Sequence, residues 1–313
     1  MTTGPTCTAP AAIVRTSTSL NSRAGVAALL VAAGALAGCA GGAGGPTTST
    51  IVVRTTTVTA APSSEPTSQA QANDTMASIP APDSAAALTQ LAADVEARTG
   101  AQVSLAVAPV NGAPAVQAGS LAGVQPAWST IKVPLSIAAL RADPSAAGTM
   151  RQAITASDNA AAEALWAMLG ASDAAATAVG SILATAGDTA TVVNPEVTRP
   201  GFSAFGQTQW DTAAQASFAR QLSTITGADQ VLAAMGSIVA GQDYGLGQIS
   251  GTRFKGGWGP DESGRYLVRQ FGLVPGTQGE IGVALAVVPA DGTYESGQAA
   301  LTELALGLQE TLG

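Results

Sequence analysis

The pattern of apolar and polar positions predicts a helix at the start of the folded part of the chain. Apolar side chains recur there at helical spacing, at Leu88, Leu91, Ala92 and Val95. Asp83 precedes them as a residue type that caps helix N-termini, and Gly100 follows where a helix would end. We therefore place the start of the folded domain at residue 83.

After Gly100 the spacing of apolar residues shortens to the two-residue period that is typical of strands. Residues 103–107 alternate between apolar and other side chains, and Asn111-Gly112 separates them from a second strand-like run at 113–118. Two such runs around Asn-Gly predict a β-hairpin. Three further strand-like runs occur much later, at 252–256, 266–273 and 281–288.

The long stretch between the hairpin and the later strands is mostly helical in pattern. Residues 130–240 are rich in Ala and Leu, with Asp-Pro, Gly and Asn-Pro interruptions. The chain closes on an amphipathic helix whose apolar stripe comprises Leu301, Leu304, Ala305, Leu308 and Leu312. These elements predict one α/β domain over 83–313, in which terminal helices flank a split antiparallel sheet and a helical lobe is inserted between its strands.

The N-terminal region has the pattern of an export signal. Arg15 and Arg23 precede an apolar run at 24–36, which is too short for a bilayer span of about 20 residues. The run ends in Leu36-Ala37-Gly38-Cys39, which resembles the bacterial lipobox. This resemblance implies a signal peptide over 1–38 and a lipid on Cys39. The alternative is an ordinary secretory signal cut at a small-residue site, with Cys39 uninvolved.

Residues 39–82 differ in composition from the later part of the chain. Gly, Thr, Ser and Pro dominate this segment, so it cannot bury enough apolar surface to offset its ordering entropy. We interpret it as a flexible tether between the lipidated cysteine and the domain. The predicted location is therefore the extracytoplasmic face of the cell membrane, reached through the lipid anchor.

Composition and charge exclude several function classes. The chain has 46% hydrophobic and 11% charged residues and a net charge of −8, which argues against overall disorder and against nucleic-acid binding. It contains no histidine and only two cysteines, so a Ser-His-Asp triad, His-ligated metals and Cys-rich metal sites are excluded. We expect no cofactor, no metal and a monomer.

The lysines indicate the chemistry. The chain has two: Lys132 closes the S-x-x-K motif that begins at Ser129, and Lys255 opens Lys-Gly-Gly. Between them lies Ser-Asp-Asn, beginning at Ser157. The order S-x-x-K, S-D-N and K-x-G resembles the penicillin-recognising serine hydrolases, namely β-lactamases and penicillin-binding proteins. The resemblance covers about residues 84–313 and implies a β-lactamase/transpeptidase-like fold with a reduced helical lobe.

The physical reason for the first motif can be stated from the residues. Without histidine, a serine nucleophile needs another base, and a neutral lysine amine can serve. Positions i and i+3 share a helix face, so we expect Lys132 to reach the Ser129 hydroxyl. Burial and the positive charge of Lys255 would favour loss of the Lys132 proton.

The resemblance implies roles for the other motif residues. Ser157 would relay a proton to the leaving nitrogen, and Asn159 would contact a substrate amide. Lys255 would lie near Ser157 and the substrate carboxylate. Gly257 would line the site beside Trp258, whose backbone N–H, with that of Ser129, would form the oxyanion hole.

Three departures from the pattern bear on activity. Gly256 lacks the hydroxyl that the third motif usually offers, and Arg265 is either a substitute anion contact or a solvated strand-end residue. Ser129 and Ser157 are only 28 residues apart, which shortens the helical lobe. The class A loop motif E-x-x-L-N is not matched, and Glu196 is either the deacylation base or a solvated loop acid.

Three functions therefore remain open at the level of sequence. The first is a lipid-anchored serine hydrolase that forms an acyl-enzyme with a peptidoglycan-like or other amide or ester substrate, with weak or no β-lactamase turnover. The second is an inactive relative that binds a cell-envelope ligand or acts as a scaffold. A solute-binding lipoprotein is disfavoured because no two-lobe pattern of βα repeats is present.

The lipobox interpretation predicts the behaviour of a Cys39→Ala variant. Without the thiol there is no site for the lipid, so we expect the precursor to stay uncut or the protein to be released from membranes. Fractionation of expressing cells, with immunoblotting of membrane and soluble fractions, measures this. Unchanged membrane retention of Cys39→Ala would contradict the lipobox assignment.

Overall fold

The computed structural model describes residues 81–312, with the side chains of 85–311. The signal segment, Cys39 and the tether as far as residue 80 lie outside the described residues. The eight helices of this part are α1 (Ala81–Thr99), α2 (Lys132–Ala142), α3 (Ala147–Thr155), α4 (Asn159–Met168), α5 (Ser172–Thr185), α6 (Thr212–Gln221), α7 (Asp229–Met235) and α8 (Tyr294–Leu312). Its seven strands are β1 (Gln102–Ala108), β2 (Val116–Ala118), β3 (Gln125–Pro126), β4 (Gln209–Trp210), β5 (Arg253–Pro260), β6 (Tyr266–Gly276) and β7 (Gly279–Val288).

Five of the strands form one antiparallel sheet in the order β2-β1-β7-β6-β5. The hairpin β1–β2 predicted around Asn111-Gly112 is present, with Leu105 opposite Ala118. The order means that the chain returns from the helical region to the far edge of the sheet at β5 and then fills the centre with β6 and β7. Strand β5 is therefore an edge strand whose outer side is open to other elements.

Both faces of the sheet are covered. On one face α1 and α8 pack through residues such as Leu88 and Leu304, which belong to one buried cluster with Leu285. On the other face α6 lies directly on β7, where a Cβ at Gly282 would approach the backbone oxygen of Ala216 to 2.1 Å. Because it is covered twice, β7 is buried along most of its length instead of alternating.

The predicted elements agree with these, apart from their limits. The three later strands are present and longer than expected, and Gly100 ends α1 with a positive φ of 67°. The predicted cap was wrong. Helix α1 begins at Ala81, so Asp83 lies inside the helix instead of capping it.

The remaining helices build the lobe beside the sheet. Helices α2, α3, α4, α5 and α7 share a buried cluster in which Leu135, Ile154, Leu165 and Val179 take part. Among the described residues no single helix has the length and apolar composition of a membrane span. Helices α4 and α5 pass such a test only as a pair, and they meet at an angle of 98°.

A buried guanidinium joins the sheet to the rest of the domain. Arg269 on β6 is fully buried and donates to the backbone oxygens of Gln125, Pro126 and Trp210 in the ribbon β3–β4. It also donates to Gln215 Oε1 on α6 at 2.5 Å. Burial lowers the pKa of Arg269 to about 9, partly opposed by the Asp211 carboxylate. The charge is therefore retained at neutral pH. The two Nη atoms donate to these acceptors, whereas Nε has no hydrogen-bond partner in the described residues.

We expect Arg269→Met to be destabilising, although Met fills a similar volume. The change removes the donors of four buried acceptors, and breaking such a buried network costs about 3 kcal/mol or more. Urea denaturation of the variant and the wild type measures the free energy of unfolding. Arg265→Met is the matched control, because this exposed guanidinium should change stability by less than about 0.5 kcal/mol. Equal stability of the two variants would show that the network is dispensable.

Candidate active site

The first motif lies on a tight turn that leads into α2. Trp128–Ile131 form a 3₁₀ turn, and Trp128 has a positive φ of 48°, which is unusual for a bulky residue. Thr130 fixes the turn, because its hydroxyl and its N–H both donate to the backbone oxygen of Ala127. Ser129 is thereby presented, partly exposed, at the junction of the sheet and the helical lobe. Strain of this kind concentrates at functional sites.

The turn is connected to the buried guanidinium. Gln215 accepts from Arg269 and donates its amide to Thr130 Oγ1 at 2.8 Å. Gln215, Thr130 and Arg269 are each fully buried. A continuous chain of hydrogen bonds therefore runs from β6 through α6 to the residue next to Ser129. Neither Gln215 nor Arg269 was singled out by the sequence, since both lie outside the motifs.

The second motif forms the loop before α4. Ser157 has a positive φ of 56°, and the Asp158 side chain caps α4 by accepting from the N–H of Ala161 at 2.7 Å. This conformation directs the Ser157 side chain towards the sheet and its carbonyl towards α2. The left-handed backbone at Ser157 is therefore what allows one residue to contact both lysines.

Lys132 is buried and bound by the second motif. Its Nζ donates to the backbone oxygens of Ser157 and Asp158 at 2.6 and 3.2 Å, and to Asn159 Oδ1 at 2.8 Å. Burial lowers the pKa of Lys132 to about 8, opposed by the carboxylates of Asp158 and Glu163. Burial thus acts in the expected direction, because it brings the pKa of the Lys132 amine close to neutral pH.

The expected contact between Lys132 and the nucleophile is not seen. Within the described part of the chain, no hydrogen bond involves the Ser129 hydroxyl, and all three donors of the Lys132 ammonium are taken by other acceptors. The spacing i, i+3 favours a shared face, but the acceptors of the second motif compete for the ammonium. Lys132 must lose a proton, and with it one of these hydrogen bonds, before its amine can accept a proton from Ser129; Asp158 O is the most distant of the three acceptors.

Lys255 reaches the same place from the sheet. It is fully buried on β5 and donates to Ser157 Oγ at 2.8 Å and to the backbone oxygen of Gly256 at 2.9 Å. Its pKa is well below the ordinary value, first because of burial and second because of the positive charge of Lys132. The expected repulsion between the two lysines is therefore present, but it acts on Lys255 instead of Lys132.

Gly257 brings the edge strand against the nucleophile turn. A Cβ on Gly257 would lie 2.8 Å from Ser129 N and 3.0 Å from Ala127 O, so no side chain fits. Trp258 comes directly after it and turns its ring to the other face of the sheet, 5.2 Å from the ring centroid of Tyr294. The expected oxyanion pair, Ser129 and Trp258, thus belongs to two segments in close contact.

Gly256 leaves the expected hydroxyl position without a side chain. A Cβ there would meet the Tyr244 hydroxyl at 3.7 Å, so a phenol lies close to the strand edge. Tyr244 accepts a hydrogen bond from Tyr294 and is itself partly buried. Sequence reasoning missed this neighbour, because Tyr244 lies in an irregular segment outside the motifs.

Two predicted site residues are not brought to the site. Arg265 is exposed in the turn between β5 and β6, about 17 Å along the strand from Lys255 at 3.4 Å per residue. It therefore matches the alternative of a solvated strand-end arginine. Glu196 is exposed in the loop between α5 and the ribbon, and it makes no hydrogen bond or ion pair within residues 81–312. The solvated loop acid is the alternative that this placement favours.

The loop that carries Glu196 is fixed by Arg199. Arg199 donates to the backbone oxygens of Pro260 and Asp261 and lies 4.4 Å from the centroid of the Phe202 ring. Phe202 packs in turn on Trp128 at 5.1 Å. The loop therefore packs beside the nucleophile turn, while Glu196 itself is exposed to solvent.

Comparison with known proteins agrees with this geometry at the level of fold. No family model matches the sequence, and no curated protein matches it significantly. Among solved structures, TLA-3 extended-spectrum β-lactamase superposes with a TM-score of 0.57 and 14% identity, covering 71% of this chain and 98% of that one. An ancestral (GNCA) class A β-lactamase gives 0.57 and 20%, covering 71% and 99%. The chain has the class A β-lactamase fold, that of the penicillin-recognising serine hydrolases.

Titration of the lysines tests the electrostatics of the site directly. With only two lysines, ¹³C-lysine labelling gives two ε-carbon signals, which Lys132→Met assigns. We expect one to titrate at about pH 8 for Lys132 and the Lys255 signal well below 10.5. Since the folded protein then binds fewer protons than the unfolded chain between about pH 8 and 10.5, the contribution of Lys132 to stability rises with pH in this window. Titration of both signals near 10.5 would contradict this.

Proposed function

We propose that the protein is a lipid-anchored serine hydrolase of the β-lactamase/DD-peptidase type, acting through an acyl-enzyme on Ser129. The observation that carries the proposal is the convergence of both lysines of the chain on Ser157. Lys132 Nζ lies 2.6 Å from the Ser157 backbone oxygen, and Lys255 Nζ lies 2.8 Å from Ser157 Oγ. Buried lysines are costly unless they are paired or serve a function. The class A β-lactamase fold supports the assignment to serine hydrolase chemistry.

The proposed acylation begins with a neutral Lys132. Its lowered pKa leaves a useful fraction of free amine at neutral to mildly alkaline pH. The amine takes the Ser129 proton as Oγ bonds to the substrate carbonyl carbon, and the N–H groups of Ser129 and Trp258 would stabilise the oxyanion. Ser157, hydrogen bonded to Lys255, would then pass a proton to the leaving nitrogen or oxygen and regain one from the Lys132 ammonium, which returns Lys132 to the neutral amine.

The proposed substrate is a peptidoglycan-like peptide or another amide or ester, with weak or no turnover of β-lactams. Gly256 offers no hydroxyl to a substrate carboxylate, and one hydrogen bond to a charged group contributes about 1.5–3 kcal/mol. Arg265 is too far away to replace it. The anchor on Cys39 and an extracytoplasmic location would place such an enzyme beside the cell envelope.

One observation favours the second candidate, an inactive relative that binds an envelope ligand or acts as a scaffold. The Lys132 ammonium is satisfied by three oxygen acceptors and makes no hydrogen bond with Ser129 within the described residues. Such a lysine could serve only to fasten α2 to the second motif. The two candidates differ in whether Ser129 reacts.

Covalent labelling distinguishes them. We expect a fluorophosphonate or penicillin probe to add one adduct mass to the protein, and Ser129→Ala to abolish it. Lys132→Ala should reduce the labelling rate by about 100-fold or more, because general-base catalysis contributes that much. Intact-mass spectrometry after timed exposure measures both.

Ser263→Ala is the matched control for the serine. Ser263 is exposed in the turn between β5 and β6, so its loss should leave labelling unchanged. An adduct that persists in Ser129→Ala would move the chemistry to another residue. No adduct on the wild type with either probe class would favour the binding protein.

A further inference from the structure

The site as described has an acylation base but no carboxylate for the second half of the reaction. Hydrolysis of an acyl-enzyme needs a water and a base that accepts its proton. Glu196, the acid suggested by sequence, is exposed and makes no hydrogen bond or ion pair with the motif residues in the described part of the chain. Asp158 acts electrostatically on Lys132, but its Oδ1 is held at the N-terminus of α4 by the N–H of Ala161.

Glu163 is an acid on the correct face of α4. It follows Asn159 by four residues, and such pairs lie on one helix face with Cβ atoms about 5–6 Å apart. Asn159 uses that face to accept from Lys132 Nζ at 2.8 Å. Glu163 therefore lies one helical turn beyond the residue that binds the lysine of the first motif.

The electrostatics agree with this placement. The Glu163 carboxylate raises the pKa of Lys132, and the Lys132 charge acts back on Glu163. The pKa of Glu163 is nevertheless raised overall, because partial burial outweighs the attraction of Lys132. The other described carboxyl groups with a shifted pKa are all lowered, namely Glu96, Asp143, Asp261 and Asp291.

The Glu163 side chain is open to solvent and forms no close ion pair with Lys132 in the described residues. No ion pair within 4.0 Å joins Glu163 to Lys132 in residues 81–312, although each senses the charge of the other. Glu163 is also exposed, so solvent reaches its carboxylate. The Glu163 carboxylate is thus solvent-exposed, coupled electrostatically to Lys132 and free of hydrogen bonds in the described part of the chain. These are the properties of a general base.

We propose that Glu163 is the general base that activates the water hydrolysing the acyl group on Ser129. This inference rests on the proposed function, because it requires an acyl-enzyme. It assigns the step to a helix residue one turn after the second motif instead of to the loop acid Glu196.

The step balances in protons and bonds. Glu163 takes a proton from water as the water oxygen bonds to the acyl carbon. The protonated Glu163 then passes its proton to the neutral Lys132 amine, and the resulting ammonium protonates Ser129 Oγ as the bond from Oγ to the acyl carbon breaks. The acid product leaves, and the Glu163 carboxylate and the neutral Lys132 amine are restored.

Acylation and release can be followed separately in the full-length protein. A fluorescent penicillin acylates the enzyme, excess probe is removed, and intact mass reports loss of the adduct with time. We expect Glu163→Gln to acylate but to release the product about 100-fold more slowly than wild type, the usual contribution of a general base. Glu163→Asp, which keeps a carboxylate, should recover part of the release rate.

Glu196→Gln is the matched control, because it makes the same substitution at another exposed glutamate. We expect its release rate to equal that of wild type. Equal release from Glu163→Gln and wild type would overturn the role of Glu163 alone, as would slow release from Glu196→Gln only. Failure of the wild type to form any adduct would overturn the proposed function, and with it the role of Glu163.

Discussion

The buried guanidinium of Arg269 is the interaction on which the arrangement of the site depends. It holds the backbone of the ribbon β3–β4 to the centre of the sheet and passes a hydrogen bond through Gln215 to Thr130. The turn before α2 is thus fixed by hydrogen bonds that come from the sheet through Gln215, which allows Trp128 to keep a left-handed backbone. A strained turn persists only where its surroundings over-determine it, and this network supplies the constraint.

The same site concentrates unfavourable electrostatics. Lys132 and Lys255 are both buried and both reach Ser157, so the chain places its two lysines where their charges repel. Burial and this repulsion favour loss of a proton, which is what a serine nucleophile requires in a protein without histidine. The stability lost here is offset elsewhere by the doubly covered sheet, whose strand β7 is buried along most of its length.

Three acidic residues were candidates for a base at this site, two at or on α4 and one on the loop after α5, and their environments differ. Asp158 and Glu163 are both exposed and both act electrostatically on Lys132, but Asp158 caps the helix, whereas Glu163 makes no hydrogen bond in the described residues. Glu196 is exposed on the loop. A search restricted to the loop after the second motif passes over Glu163. The signal that could have found it is the i, i+4 relation to Asn159, since helix geometry puts both on one face.

The sequence by itself determined the order of elements, the antiparallel sheet with terminal helices, and the motifs of Ser129, Ser157 and Lys255, because periodicity and motif spacing are local properties. The tertiary structure alone decided which acceptors bind Lys132, that Arg265 lies far from Lys255, and that Arg269 supports the nucleophile turn. Arg269 lies 144 and 143 positions from Gln125 and Pro126, and Lys132 lies 25 to 27 positions from its acceptors, so only the folded chain brings these groups together. Such pairings are set by the packing of the whole domain, and no local pattern records them.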